Sequence, residues 1–180
     1  MKMIYTFLSI LIFVYTLFAG NGVGERAADF TLRTTDGQEI TLSELRGRIV
    51  VLVFLEPSSG ASMSVARQME TELWQDDFQN RVIYMFGILV GASIEAGKEF
   101  KNGLNLTFPI LVDPSRAVWN TYRNGANPPL SIIIGKDGVV QYREQGFSAP
   151  EISNEVRQLQ SSGINFTTWW KIKELFRKGN

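Results

Sequence analysis

Two apolar runs, Ile49 to Leu55 (IVVLVFL) and Val82 to Val90, sit either side of a polar turn and an amphipathic stretch. Runs of this length bounded by turn residues read as strands buried on both faces, the mark of a parallel sheet. Parallel neighbours need a crossover, and the residues between supply one. Ser62 or its neighbours cap a helix running to about Phe78, with Val65, Met69, Leu73 and Phe78 on one face and Arg67, Glu70 and Asp77 elsewhere. The turn from Pro57 to Ser62 therefore lies at the carboxyl end of a strand and the amino end of a helix, where an α/β protein places its chemistry.

What occupies that turn is Ser59-Gly60-Ala61-Ser62, and composition limits what it can do. The 180-residue chain contains neither cysteine nor histidine. Without cysteine there is no disulfide, no thiol catalysis and no lipidated cysteine anchor. Without histidine, Ser-His-Asp catalysis and histidine-rich zinc sites are excluded. A Ser-x-x-Lys arrangement is also missing, so a serine nucleophile would lack its base, and Glu56 reads as an ordinary loop residue. Eighteen basic residues against eighteen acidic ones leave no net charge to grip nucleic acid. No metal site and no cofactor are implied. The stretch Gly91 to Lys98 has glycines but is no phosphate loop: the glycine spacing is one residue too long, and Glu99 stands where a metal-binding hydroxyl belongs.

The amino terminus reads differently from the rest. Residues 1–22 hold an apolar stretch from Ile4 to Ala19 behind Lys2. As a helix it would rise about 24 Å, between the length of a signal core and that of a spanning helix. Cleaved signal and retained anchor both remain open, and both export the domain to a periplasmic, extracytoplasmic or secreted location, released in one case and membrane-associated in the other. At the other end, residues 163–180 place Trp169, Ile172, Leu175 and Phe176 on one helical face among Lys171, Lys173, Arg177 and Lys178, a net +3 once Glu174 is counted. That pattern suits either packing back on the domain or a membrane interface.

Between them, residues 23–162 form one α/β domain with a mixed central sheet covered by helices on both faces. Thr35-Asp36-Gly37-Gln38 joins two short strands as a hairpin, and Ser43 to Gly47 makes a short helical turn. A helix is expected around Glu95 to Asn102 and a strand over Phe108 to Val112. Asp113-Pro114-Ser115 then starts a helix with proline at an early position. Ser131 to Ile134 and Val139 to Arg143 form a second hairpin about Lys136-Asp137-Gly138. A last helix begins at Pro150 and carries Ile152, Val156 and Leu159 on one face.

In this order, Ala28-Asp29-Phe30, the Asp-Gly hairpin, Leu45-Arg46-Gly47, VVLVFLEP, FPILVDP and PPLSIIIGKDG resemble the redoxin or AhpC/TSA branch of thioredoxin-fold proteins, with exported thiol-disulfide reductases of the TlpA and ResA type most similar. The resemblance implies a thioredoxin-like fold, a Cys-x-x-Cys turn after the central strand, and a cis-proline facing it. Ser59 and Ser62 take the cysteine positions, and Pro129, preceded by Pro128, takes that of the cis-proline. The resemblance leaves two functions open. One is a binding or accessory module that has lost thiol-disulfide catalysis and docks a protein or peptide partner at the Ser59/Pro129 face. The alternative is the oxidoreductase or antioxidant activity that the family implies, whose thiolate this chain cannot supply.

Overall fold

In the computed structural model, residues 21–78 and 83–161 are described; the amino-terminal apolar segment and the basic, aromatic tail lie outside them. Seven strands form one mixed sheet: β1 (Thr31–Thr34), β2 (Glu39–Thr41), β3 (Ile49–Leu55), β4 (Ile83–Val90), β5 (Ile110–Asp113), β6 (Leu130–Ile134) and β7 (Val140–Gln145), in the order β2-β1-β5-β4-β3-β6-β7. The three central strands are parallel and the outer pairings antiparallel. Every residue of β3 is buried, as a strand with two covered faces requires.

Alternation along β3 divides the core in two. Ile49, Val51, Val53 and Leu55 pack with helices α1 (Gly60–Gln68), α2 (Ile94–Gly103) and α4 (Ala149–Ser161), whose Val65, Phe100, Ile152 and Val156 share that cluster. Val50, Leu52 and Phe54 face the other way, toward Trp119 and Tyr122 of the short helix α3 (Ala117–Tyr122) and toward Phe30 and Leu42. Among the described residues, no helix is long and apolar enough to cross a membrane.

Three details depart from the sequence reading. The crossover helix is capped by Ser59 rather than Ser62 and begins at Gly60. From Met69 to Phe78 it widens into a π-helical segment. Bonding from i to i+5 winds more residues into each turn, so a regular helical wheel misplaces the residues of this segment. Leu73 and Phe78, five apart, are both buried as expected, but so is Glu70. Its carboxylate accepts hydrogen bonds from the Thr107 backbone at 2.7 Å, the Thr107 hydroxyl at 2.6 Å, Gln75 at 3.2 Å and the Phe108 backbone at 3.4 Å. Arg67 is exposed, and the Asp77 side chain lies outside the described residues. Finally, α3 starts at Ala117, not at Pro114. Arg116 occupies the left-handed region at φ 59°, and buried Asp113 accepts from the Trp119 N–H at 2.8 Å in place of a local cap.

Candidate functional site

Register fixes which groups share an end of the sheet. Leu55 pairs with Leu89, Val90 with Asp113, and Phe54 with Leu130. The carboxyl ends of β3, β4 and β5 and the start of β6 therefore meet at one pole, and the Pro57–Ser62 turn and Pro128–Pro129 belong to it. The bond between these two prolines is cis.

Within the turn, three backbone N–H groups find partners. Ser59 holds an extended conformation at the N-cap of α1, and its hydroxyl oxygen accepts from the Ser62 N–H at 3.4 Å. Ser62 is fully buried, and its Oγ accepts from the Glu56 N–H at 3.0 Å. The Ser59 N–H in turn donates to the Glu56 carbonyl at 3.0 Å. Both hydroxyls thus hold down a strand-to-helix turn. Among the described residues neither is hydrogen-bonded to a carboxylate, so the nucleophile-base-orienter geometry of a hydrolytic serine is not assembled.

Beside them lies a pair that sequence reading missed. Arg116 reaches Glu56 at 3.8 Å, both partly exposed, and its guanidinium crosses Gly91 so closely that a Cβ there would sit 2.7 Å from Nε. Gly91 is at φ +74°, a second reason for glycine at that position. The three residues stand far apart in sequence, and no local motif connects them.

The proline loop offers little to a main-chain partner. Neither Pro128 nor Pro129 has an N–H. The Asn127 N–H reaches Gln145 Oε1 at 3.4 Å, and the Pro129 carbonyl already accepts from Gly146 at 2.8 Å. Among the described residues no hydrogen bond reaches the Pro128 carbonyl, which can accept from an extended segment laid against the loop. Ser131, next on β6, is buried and gives its hydroxyl to the Gly146 carbonyl at 2.7 Å.

Comparison with known proteins adds to this geometry. The family model described as AhpC/TSA matches residues 23–143. Among solved structures, the chain is similar to one described as a protein disulfide isomerase from Bacteroides thetaiotaomicron, with 26% identity, TM-score 0.69, and 78% of this chain and 89% of that one covered. It is similar also to a thiol:disulfide interchange protein DsbE from Chlorobium tepidum, at 20% identity and TM-score 0.67 over 77% and 97% of the two chains. StoA from Bacillus subtilis matches at 17% identity and TM-score 0.60, over 71% and 96%. No curated protein matches the chain.

Proposed function

Because the chain belongs to the AhpC/TSA family yet carries serine at both Ser59 and Ser62, we propose that it is a redoxin-family domain that has lost thiol-disulfide catalysis and works as a binding or accessory module. The observation that carries this reading is how those two hydroxyls are used. Each accepts a backbone N–H of its own turn, a structural task that needs no sulfur. A helix amino terminus helps a cysteine by stabilising its thiolate. A serine hydroxyl stays protonated there and forms neither a disulfide nor a sulfenic acid.

The surface proposed for binding is the Ser59/Pro129 face. Ser58, Gly60 and Ala61 are exposed and small, Pro128 and Pro129 are half-buried at the same pole, and among the described residues no hydrogen bond reaches the Pro128 carbonyl. An extended segment of a partner protein fits this chemistry, with its N–H donated to Pro128 and its side chains lying over the serine turn. With no N–H donor at either proline, most of the grip must come from side-chain contacts. The apolar run of residues 4–19 supports an exported domain, released or held at a membrane.

Insulin reduction and peroxide consumption by the full-length protein in neutral detergent test the reading. Rates equal to buffer are expected; turnover above a heat-inactivated control would establish the oxidoreductase alternative instead.

A further inference from the structure

At the pole opposite Ser59, where Val50 pairs with Ile134, a small open cleft of about 30 Å³ lies between the 3-10 helix Leu42–Leu45 and the β6–β7 hairpin. Three arginines from two separate segments line it. Arg26 stands ahead of β1 and bridges Val139 of the hairpin; Arg46 and Arg48 flank Gly47 at the entry to β3. Two hydrogen bonds hold these segments together. Gly47, at φ +84°, donates its N–H to the Lys136 carbonyl at 2.9 Å, and Ala27 donates its N–H to the Gly138 carbonyl at 3.0 Å.

We propose that this cleft is a binding site for a phosphate-bearing anion, held by the guanidinium groups of Arg26, Arg46 and Arg48. Elsewhere on the domain Arg33 pairs with Glu39, Arg116 with Glu56, and Arg143 donates to the carbonyls of Asn21 and Arg123. Among the described residues none of the three cleft arginines makes an ion pair within 4.0 Å or a side-chain hydrogen bond, although Arg46 lies near enough to Asp29 to act on its charge. An unpaired surface arginine is ordinary when it stands alone, as Arg67 does. Three on one concave surface repel one another, and an anion relieves that repulsion. Asp29 is the single carboxylate of the lining. Its Oδ1 accepts from Ser43 N at 2.8 Å and Phe30 N at 3.0 Å; burial would raise its pKa, but these bonds and the neighbouring Arg46 charge hold the carboxyl below its ordinary value, so it offsets one of the three positive charges and leaves the lining net positive. The floor, formed by Leu42, Val50 and Ile134, is apolar and so strengthens charge interactions above it. Planar guanidinium forks match phosphate oxygens two at a time.

The source of the phosphate is either a free anion or a lipid headgroup. Arg26 lies seven residues beyond Ala19, the end of the apolar stretch, and buried Asn21 already ties the chain to the domain, donating to the Thr121 carbonyl at 2.9 Å and accepting from the Ala28 N–H at 3.0 Å. A domain tethered by that stretch would hold the cleft within reach of a bilayer surface. The site itself does not depend on how the serine turn is read.

Arginine Nε–Hε resonances of the full-length protein in maltoside micelles test the site. Sodium phosphate is titrated against chloride at matched ionic strength, and in a second arm the micelles are doped with phosphatidylglycerol. The resonances of Arg26, Arg46 and Arg48 should move together and saturate, and an Arg46→Ala/Arg48→Ala variant should weaken the response at Arg26 about tenfold or more. Arg26→Ala, on a different segment, should weaken the response at Arg46 likewise. Shifts in both arms identify lipid phosphate as an available ligand, and shifts with inorganic phosphate alone identify a free anion. No saturable shift in either arm, or one that both variants leave unchanged, overturns the proposal.

Discussion

Where β3, β4 and β5 end, the Ser59 and Ser62 hydroxyl oxygens accept from N–H groups of their own turn, while at the opposite pole Arg26, Arg46 and Arg48 line a cleft and their guanidinium groups donate to nothing among the described residues. The first arrangement is closed: removing a hydroxyl strands a backbone donor. The second is open, and trimming an arginine strands nothing. A polar group already satisfied by its neighbours belongs to the fold, whereas convergent donors without acceptors are available to a ligand. By this criterion the Ser59 and Ser62 hydroxyls belong to the scaffold of their turn.

Looseness of the whole far pole would explain unpaired arginines trivially, and Glu70 tests that. It lies under the chain entering β5, at the same end of the sheet, and accepts four hydrogen bonds. Glu70→Ala should cost about 3 kcal/mol in urea unfolding, the largest effect expected, because it leaves the Thr107 and Phe108 N–H groups without their acceptor. Burial alone would raise the Glu70 pKa, but hydrogen bonds from Thr107, Gln75 and Phe108 outweigh it and hold the carboxyl below its ordinary value. A pKa lower in the folded state stabilises above the unfolded value, about 4.3, and that stability is lost as pH falls through the folded one. Glu70→Gln should therefore flatten the acid limb of the stability curve. An unchanged acid limb would mean that the far pole is not rigidly built.

At the serine pole, Ser62→Ala should cost about 1–2 kcal/mol by stranding the Glu56 N–H. Ser59→Ala should cost under about 1 kcal/mol, since its capping bond is long at 3.4 Å. Chemical denaturation of both variants checks the order, and no loss at Ser62 would break the account of that turn as scaffold. Arg46→Ala/Arg48→Ala should stay within about 0.5 kcal/mol of the parent without phosphate, the smallest effect expected. A loss as large as that of Ser62→Ala would make the arginines structural and erase the contrast between the poles.

The sheet was legible in the sequence because β3 and β4 are buried on both faces and leave continuous apolar runs, and because Asp-Gly turns punctuate the hairpins. That Ser59 and Ser62 lie where β3 turns into α1 was legible from the apolar run ending at Leu55 and the amphipathic stretch after it. What stayed hidden required three dimensions or an irregular backbone. A regular helical period misplaced Glu70 because the segment from Met69 is π-helical. Proline at 114 suggested a helix start, but Asp113 caps α3 from outside while Arg116 turns through the left-handed region. Arg26 and Arg46 are twenty positions apart in sequence and meet only because the segment before β1 pairs with the β6–β7 hairpin. The amino-terminal and carboxyl-terminal expectations fall outside the described residues.

Restoring the sulfur tests the central claim most directly. Ser59→Cys/Ser62→Cys should form an intramolecular disulfide and reduce insulin in the presence of dithiothreitol well above the background rate, with the parent protein at background, because the helix amino terminus and the Pro128–Pro129 loop would be in place to serve a thiolate. A parent protein as active as the double variant would contradict the loss of catalysis. A double variant that folds but stays inactive and forms no disulfide would contradict the claim that the site geometry has survived.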